Sequence, residues 1–220
     1  MALRMDTTQG MRDVYRHHHT TGNRLGKSVL SEVRGAFFRE KIGTGKKILD
    51  VGCRDGVLTK AFASGNEVLG LDIDDEALAI AERELGIVTK QVDLNGDWGF
   101  PARTFDAVVA SEVIEHLYFP DRVLEKIANA LKDDGVLLGS VPNAFSVQMR
   151  TRLFLGKKRA TPLNDPTHIN HFSHGEMKEL LQEYFKDVRM YPVGNYAWLD
   201  PLWPGMFSFG LLFEARNPKR

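Results

Sequence analysis

The chain has 220 residues, of which 43% are hydrophobic, and it carries 29 basic and 29 acidic side chains. This length and apolar content suit one α/β domain with a filled core, and the zero net charge gives no overall field that would attract nucleic acid or a membrane, so any polyanion would have to bind a local patch. The single cysteine, Cys53, excludes an internal disulfide, and no apolar run is long enough to cross a bilayer, so we expect no transmembrane segment and a cytoplasmic location.

The first 45 residues are predicted to form an arm and a cap helix outside the main domain. Residues 1–23 are polar and show little periodicity. Between Arg24 and Lys41, apolar residues recur at the spacing of a helix, with Val29 and Val33 on its apolar stripe. We therefore predict a helix over that stretch and a domain that covers residues 46–220.

The rest of the chain alternates short apolar runs with helical patterns, which is typical of an α/β fold. Strands are predicted at residues 47–52, 67–71, 88–94, 105–110 and 136–141. Helices are predicted over residues 56–64, after a cap at Asp74 or Asp75, and from Pro120. Ser173 and Glu176 form a capping box for a further helix, and residues 144–172 are predicted as a long loop.

Two more strands are predicted near the carboxyl end, at about 188–193 and 207–215. The loop between them contains Pro and Trp but no segment of helical length. Parallel neighbours need a crossover, usually a helix, whereas strands joined by a loop pair antiparallel. The sequence therefore predicts a doubly wound, mostly parallel sheet of seven strands with one antiparallel strand near the carboxyl terminus.

Acidic side chains end three successive predicted strands, and ligands of open α/β sheets bind beyond the carboxyl ends of the strands. Asp50 with Gly52 ends the first strand, Asp72 the second and Asp93 the third. Asp72 lies 20 residues after Gly52, where nucleoside-binding folds place the acid that accepts the ribose hydroxyls. Nicotinamide-dependent oxidoreductases share such a turn and acid, so these residues alone leave the class of enzyme open.

A longer set of motifs resembles the class I S-adenosylmethionine-dependent methyltransferases over roughly residues 46–216. In chain order the motifs are ILDVGCRDG, LGLDID, QVDL, FDAVVASEVIEHL, GVLLGSVPN and FGLLFEAR. The resemblance implies a Rossmann-like methyltransferase domain over residues 46–220 that uses S-adenosylmethionine. One residue departs from the family pattern, since Arg54 stands where glycine is usual. A positive φ at that position would cost an arginine about 1–2 kcal/mol.

The resemblance also implies the residues that bind the cofactor. The turn after the first strand would hold the methionine part, Asp72 the ribose hydroxyls and Asp93 the adenine, while Ser111 would close the floor of the pocket. The full implied set is Asp50, Gly52, Cys53, Gly56, Asp72, Ile73, Asp93, Leu94 and Ser111.

The segment SEVIEHL supplies candidate catalytic groups. If a helix begins with this segment, Glu112, Glu115 and His116 fall on one face at spacing i, i+3 and i+4. Carboxylates and imidazoles suit a divalent metal, and His168 and His171 in DPTHINHFS offer further nitrogen atoms. We predict His116, Glu115 and His171 as catalytic groups, and Glu112, Glu115, His116 and His168 as a metal-ligand set. In the alternative interpretation, these acids fix loops and the histidines only bond the backbone.

EVIEHL is similar to the corresponding stretch of ubiquinone-biosynthesis O-methyltransferases and of small-RNA 2′-O-methyltransferases. The RNA interpretation would use a basic cluster to bind phosphates, namely Arg150, Arg152, Lys157, Lys158 and Arg159. The zero net charge argues against RNA, and the cluster is either a solvated loop or a contact for an anionic small molecule or lipid surface. We predict methyl transfer to oxygen on a small-molecule acceptor. The alternatives are RNA 2′-O-methylation, a nicotinamide-dependent oxidoreductase and a non-catalytic cofactor-binding protein.

Overall fold

The computed structural model describes residues 7–21 and 25–220. The helices within these residues are α1 (Thr7–Thr21), α2 (Ser31–Ile42), α3 (Lys60–Ala63), α4 (Asp75–Leu85), α5 (Pro120–Ala130), α6 (Val147–Phe154) and α7 (His174–Tyr184). The strands are β1 (Lys47–Val51), β2 (Glu67–Asp72), β3 (Val88–Gln91), β4 (Phe105–Ser111), β5 (Leu131–Pro142), β6 (Phe185–Val193) and β7 (Gly210–Pro218). Short 3-10 helices cover Ile114–His116, Lys158–Ala160, Pro162–Asn164 and Ala197–Leu199.

The strands form one sheet in the order β3-β2-β1-β4-β5-β7-β6. β2 pairs in parallel with β1 and β3, and β4 pairs in parallel with β5. β7 runs antiparallel to both of its neighbours, β5 and β6. The predicted fold class, a mostly parallel seven-stranded sheet with one reversed strand, is confirmed.

The contacts within the chain divide it into two units, residues 1–99 and residues 100–220. Each unit buries apolar side chains of its own strands, such as Leu49 in the first and Leu137 in the second. No helix among the described residues is long and apolar enough to cross a membrane. The predicted boundary after residue 45 is not tested by this division and stays a prediction.

Much of the predicted amino-terminal arm is helical. α1 occupies residues where no helix was predicted, and Arg16 of α1 pairs with Asp75 at the start of α4, at 2.5 Å. Arg12 lies 4.0 Å from the same carboxylate. Residues 1–6 and 22–24 of the arm lie outside the described residues.

Capping side chains set the starts of two helices, as predicted. Asp74 accepts the backbone N–H groups of Glu76 and Ala77, at 3.1 and 3.3 Å, and α4 begins at the next residue. Ser173 and Glu176 form the capping box that starts α7. Both positions follow from the need of the first helical N–H groups for an acceptor.

The helix predicted from Arg24 is wrong in its start and in its buried face. α2 begins at Ser31, and Val33 of the predicted apolar stripe is exposed. Phe38 is buried instead, with its ring edge-on to the Phe62 ring at 6.1 Å between centroids. Packing against another element therefore decides which face of α2 is covered.

The segment 144–172 is not the unbroken loop that was predicted. It contains α6, which Ser146 caps by accepting the N–H of Met149 at 3.4 Å, and two of the short 3-10 helices. The outward side of α6 carries Val147 and Phe154, both exposed. A search for an apolar stripe assumes that the stripe is buried, so this helix does not show the expected pattern.

Other predicted elements are present with shifted ends. The helix predicted over residues 56–64 is reduced to the four residues of α3, because turns and a bend occupy residues 54–59. β3 ends at Gln91, before the predicted limit at Leu94. β7 begins at Gly210, three residues later than predicted.

Gly139 of β5 tests the packing of the second unit. A Cβ at this position would lie 2.2 Å from the Phe213 ring of β7 and 2.3 Å from the Ala110 carbonyl oxygen of β4. Because backbone cannot yield as a flexible side chain can, we expect Gly139→Ala to lower the free energy of unfolding by about 3 kcal/mol in chemical denaturation. Gly175→Ala in α7 is the control, since a Cβ there meets nothing within 4 Å. Equal stability of Gly139→Ala and wild type would contradict the packing described.

Candidate functional site

The turn after β1 is held against the end of β2 by backbone hydrogen bonds. The N–H groups of Gly52 and Cys53 both donate to the carbonyl oxygen of Leu71, at 2.7 and 3.0 Å. Gly52 has φ 75°, a left-handed conformation that glycine adopts without steric cost. The chain itself therefore fixes the path of the turn.

Arg54 also has a positive φ, of 51°. The turn thus requires, at Arg54, a conformation that glycine accepts more easily than arginine does. Its backbone N–H donates to Asp72 Oδ2 at 2.9 Å, its Nε to Asp55 Oδ1 at 3.1 Å and its Nη2 to the Lys27 carbonyl oxygen at 2.5 Å. These bonds offset a strain of about 1–2 kcal/mol.

The Asp72 carboxylate is oriented by two backbone donors. Oδ2 accepts the N–H of Arg54 at 2.9 Å, and Oδ1 accepts the N–H of Asp74 at 3.0 Å. These two bonds hold one oxygen each and so fix the plane of the carboxylate. A carboxylate held in this way suits the two neighbouring hydroxyls of a ribose.

Asp50 is the buried acid of the turn. Thr59 Oγ1 donates to Asp50 Oδ2 at 2.6 Å, and both residues are buried. Burial raises the pKa of Asp50 to about 7, the Thr59 hydrogen bond opposes this rise, and the charge of Asp72 adds to it. A cationic ligand group beside Asp50 would favour its ionised form.

Cys53 and Gly56 pack the turn against its neighbours. A Cβ at Gly70 of β2 would lie 2.6 Å from the Cys53 sulfur, and burial raises the pKa of this thiol. A Cβ at Gly56 would lie 2.6 Å from Leu85 of α4. The Cys53 side chain therefore packs closely on β2, and there is no room for a side chain at position 56 beside α4.

The residues predicted to meet the adenine mainly order their own loop. Asp93 Oδ1 accepts the backbone N–H of Asn95 at 2.9 Å and its side-chain amide at 3.2 Å. The Leu94 carbonyl accepts the indole N–H of Trp98 at 3.0 Å, and the Ile73 carbonyl accepts a side-chain amide from β3, also at 3.0 Å. The adenine contact of Asp93 and Leu94, and the place of Ile73 in the cofactor-binding set, stay predictions.

In the second unit, the chain turns sharply after β4 at Glu112, where φ is 57°. The Glu112 N–H donates to the Ser140 carbonyl, and the Ser140 hydroxyl donates to Glu112 Oε1, both at 2.9 Å. Ser111 Oγ lies 2.8 Å from Ser140 Oγ. The helix assumed from the start of SEVIEHL is therefore wrong, since only Ile114–His116 are helical and their helix is of the 3-10 type. The pocket-floor role of Ser111 stays a prediction.

Glu115, His116 and His168 come together in the second unit. One potential ligand atom from each lies within 4.8 Å of the other two. The His116 and His168 rings are 4.8 Å apart between centroids, and the His171 ring lies 6.4 Å from that of His168. Glu112 of the predicted ligand set is not in this group, because its same-face relation to Glu115 depended on the helix that does not form.

Backbone contacts fix the loop before α7 on the short helix that carries Glu115. The Glu115 carbonyl accepts the N–H groups of Ile169 and Asn170, at 2.9 and 2.8 Å. The Asn170 side-chain amide donates to the Leu117 carbonyl at 2.6 Å, across 53 residues of sequence. The cluster is thus built by contacts between distant segments.

His116 and His168 each bond a backbone carbonyl group through the same ring nitrogen, Nδ1. The Nδ1 of His116 lies 2.9 Å from the Thr167 carbonyl oxygen, and that of His168 lies 3.1 Å from the Pro162 carbonyl oxygen. A carbonyl can only accept, so each Nδ1 carries a proton, and a ring in the neutral form of this tautomer has its lone pair on Nε2. His168 Nε2 also lies 3.7 Å from Asp165 Oδ2. Metal-binding histidines are commonly oriented in this way by their second nitrogen.

His171 lies at the edge of the cluster. Burial lowers its pKa, and the neighbouring His168 and Lys158 lower it further. Its Nε2 is buried and has no hydrogen-bond partner among the residues that the structure describes. A neutral imidazole with an unmatched buried nitrogen points to a ligand or to proton transfer.

Sequence reasoning missed the hydroxyls that support these acids. Thr59 bonds Asp50, and Ser140 bonds Glu112. A signal was present for Ser140, since it is a polar residue inside an otherwise apolar strand. Thr59 gave no such signal because it follows the turn at an ordinary helix-start position.

A family model described as a methyltransferase domain matches residues 23–184. The chain belongs to the class I S-adenosylmethionine-dependent methyltransferases. A ubiquinone biosynthesis O-methyltransferase of Glaesserella parasuis is 32% identical over 127 residues, covering 52% of this chain and 54% of the relative. A probable S-adenosylmethionine-dependent methyltransferase of Mycobacterium tuberculosis is 30% identical over 150 residues, covering 67% and 51%. The chain spans about half the length of the curated relatives it matches.

A solved structure supports the fold of the methyltransferase. The 1,6-didemethyltoxoflavin-N1-methyltransferase of Burkholderia thailandensis, with bound 1,6-didemethyltoxoflavin and S-adenosylhomocysteine, has a TM-score of 0.69. The likeness covers 100% of this chain and 92% of that chain, at 18% sequence identity. At this identity it shows the fold alone. The family gives S-adenosylmethionine as the cofactor and excludes the nicotinamide-dependent alternative.

The raised pKa of Asp50 makes the stability of the methyltransferase depend on pH. The ordinary value is 3.8 and the folded value about 7, so the buried carboxyl destabilises the folded state increasingly as pH rises through that window. Asp50→Asn cannot ionise. We expect its free energy of unfolding, relative to wild type, to increase by roughly 2–4 kcal/mol between pH 4 and pH 7 and then to level off.

Urea denaturation across this pH range measures the difference. Glu84→Gln is the matched control, because it removes an exposed carboxylate from the same unit. Its stability relative to wild type should change little with pH. A difference for Asp50→Asn that is equally flat would show that Asp50 titrates as an ordinary acid.

Proposed function

We propose that this chain transfers a methyl group from S-adenosylmethionine to an oxygen atom of a small-molecule acceptor. The observation that carries the proposal is the cluster of Glu115, His116 and His168, with His171 at its edge. A hydroxyl acceptor must lose a proton as it is methylated, and this cluster holds carboxylate and imidazole groups suited to that task. The similarity to O-methyltransferases over half of the chain supports an oxygen acceptor.

The turn after β1 and the end of β2 fit the cofactor. Asp72, already oriented by the backbone of Arg54 and Asp74, would accept the ribose hydroxyls. Asp50, whose pKa is raised by burial, would face the ammonium of the methionine part and lose its proton there. The chemistry supplied by bound S-adenosylmethionine is an electrophilic methyl group on a sulfonium.

The histidines of the second unit would handle the proton of the acceptor. The hydroxyl proton of an acceptor would pass to an imidazole as its oxygen takes the methyl group that S-adenosylmethionine would supply. His171 is neutral at pH 7 because burial lowers its pKa, and His116 keeps a lone pair on Nε2. Glu115 Oε1, 4.0 Å from His116 Nε2, would stabilise the resulting imidazolium. A positioned base of this kind contributes about 10²–10⁴-fold to the rate.

The same cluster fits a divalent metal. Burying a carboxylate costs less free energy when a cation or a metal ion neutralises it. Glu115 is only 2% exposed, so a metal ion would offset the cost of its burial. Two Nε2 atoms and one carboxylate favour a transition metal or zinc over the all-oxygen site typical of magnesium. A metal held there would lower the pKa of an acceptor hydroxyl. The Thr167 and Pro162 carbonyls would keep the rings oriented for it.

Asp72→Ala tests the cofactor site. Loss of two charge-assisted hydrogen bonds, worth about 2–3 kcal/mol, should weaken S-adenosylhomocysteine binding about 30–100-fold in isothermal titration calorimetry. Asp72→Asn keeps one acceptor oxygen, so its affinity should lie between those of wild type and Asp72→Ala. Glu84→Gln should bind like wild type. If both Asp72 variants bind with unchanged affinity, the assignment is wrong.

Glu115→Gln and His168→Gln test the cluster. Each should abolish Mn²⁺ or Zn²⁺ binding to metal-free protein and lower methyl transfer to a panel of phenols and aliphatic hydroxyl compounds about 100-fold. Glu179→Gln, an exposed acid on α7, should change neither. Unreduced metal binding in both variants would rule out the metal site.

The same assay separates the remaining alternatives. Activity that survives a chelator but depends on His171 would assign the cluster to proton transfer without a metal. Methylation of an RNA oligonucleotide, but of no small molecule, would select the RNA alternative. Tight binding of S-adenosylhomocysteine with no product from any acceptor would select a non-catalytic role.

A further inference from the structure

α6 turns apolar and basic side chains outward. Val147, Arg150 and Phe154 lie at i, i+3 and i+7 on its exposed side, while Met149 is buried. Phe154 is 90% exposed, and Leu155, which follows it, is 58% exposed. Single apolar side chains are common on protein surfaces, but a group of large ones indicates a site of interaction.

A second apolar group lies on the loop between β6 and β7, residues 194–209. Trp198, Leu202 and Trp203 are 73%, 80% and 63% exposed. The loop is nevertheless ordered from within, because the buried Asp200 accepts two of its backbone N–H groups, at 3.2 and 2.7 Å. These side chains are therefore held at the surface by a fixed backbone.

The two groups adjoin. The N–H of Val147, the first residue of α6, donates to the Met206 carbonyl of the loop at 2.7 Å. A helix rises 1.5 Å per residue, so Phe154 lies about 10 Å along α6 from this junction. Residues 147–159 and 194–209 are together called the apolar–basic face.

The charge of this face is positive although the net charge of the chain is zero. Residues 135–164 contain no Asp or Glu and five cations: Arg150, Arg152, Lys157, Lys158 and Arg159. All except Arg152 are exposed, and Arg152 donates to the Ala160 carbonyl at 2.6 Å. The one acid in residues 194–209, Asp200, is buried.

We propose that the apolar–basic face docks on the surface of a membrane that contains anionic lipids. Tryptophan and tyrosine side chains favour the boundary between headgroups and acyl chains, and Trp198, Trp203 and Tyr196 are exposed here. Phe154 and Leu202 supply apolar area that enters below this boundary. Lys157, Lys158 and Arg159 follow Phe154 in the chain, are exposed, and match the negative charge of the lipid phosphates.

Other occupants fit the face less well. A nucleic acid would use the cations but would leave Phe154, Leu155 and Leu202 in water, because phosphate contacts are electrostatic. A second copy of this face would place two sets of cations against each other, which opposes association. A membrane surface uses both the charge and the apolar side chains.

Co-sedimentation with vesicles tests the docking. The protein should pellet with vesicles of phosphatidylcholine and phosphatidylglycerol, should pellet far less with phosphatidylcholine alone, and should be released as salt rises. The chain supplies its own reporter of insertion: of its three tryptophans, Trp98 is buried, while Trp198 and Trp203 are exposed. Docking should shift the tryptophan emission to shorter wavelength and make it sensitive to brominated lipid.

Two variants separate charge from apolar contact. Lys157→Gln/Lys158→Gln should weaken binding to the anionic vesicles about 30-fold, which is about fivefold for each cation. Phe154→Ser should reduce binding at all salt concentrations. The matched control, Lys186→Gln/Arg189→Gln, neutralises two exposed cations of β6 and should bind like wild type. Thermal unfolding should be unchanged in all three, because the substituted side chains are exposed.

The proposal is overturned by any of three results. One is the absence of both pelleting and an emission shift with anionic vesicles. Another is equal binding by wild type and Lys157→Gln/Lys158→Gln. The third is an emission shift that follows protein concentration, or added RNA, and not lipid, which would assign the face to a second copy or to nucleic acid. None of these outcomes depends on methyl transfer or cofactor binding.

Discussion

The two hydrogen bonds received by the Asp72 carboxylate are the contact on which the site of the first unit depends. They join the turn after β1, through the Arg54 N–H, to the start of α4, through the Asp74 N–H. Because one carboxylate receives both, its orientation, the left-handed φ of Arg54 and the helix start cannot change independently. The strain at Arg54 is retained by a bond that also aims the acid at its predicted ligand.

Local signals were sufficient for most of the fold. Apolar runs mark the strands, and the lack of a helix between β6 and β7 predicts the reversed strand because parallel neighbours need a crossover that is usually helical. Asp74 and Ser173 mark helix starts because a cap is a contact of three residues or fewer. Failures occur where packing overrides spacing: α2 exposes Val33 and buries Phe38, and α6 presents apolar side chains to the surface.

The strand-end acids could be predicted from the sequence more fully than the cluster of Glu115, His116 and His168. The strand-end acids follow from α/β topology, which places such positions at one edge of the sheet. The cluster was predictable only as residue types, because His116 meets the Thr167 carbonyl across 51 residues and no periodicity encodes that contact. The prediction for Glu112 failed because it assumed a regular helix. Glu112 has φ 57° and bonds Ser140, so it does not share a helix face with Glu115.

Residues 144–172 connect the cluster with the proposed membrane surface. The first half of this segment carries the exposed side of α6, and the second half brings His168 to the cluster. Between these halves, Arg152 Nη1 donates to the Ala160 carbonyl oxygen at 2.6 Å. Two residues later, the Pro162 carbonyl oxygen lies 3.1 Å from His168 Nδ1 and accepts its proton in a hydrogen bond. The side chain of Arg152 on α6 and the ring of His168 are therefore bonded to carbonyl groups that lie two residues apart in the chain. Contact at the surface and the chemistry of the histidine share one short stretch of chain.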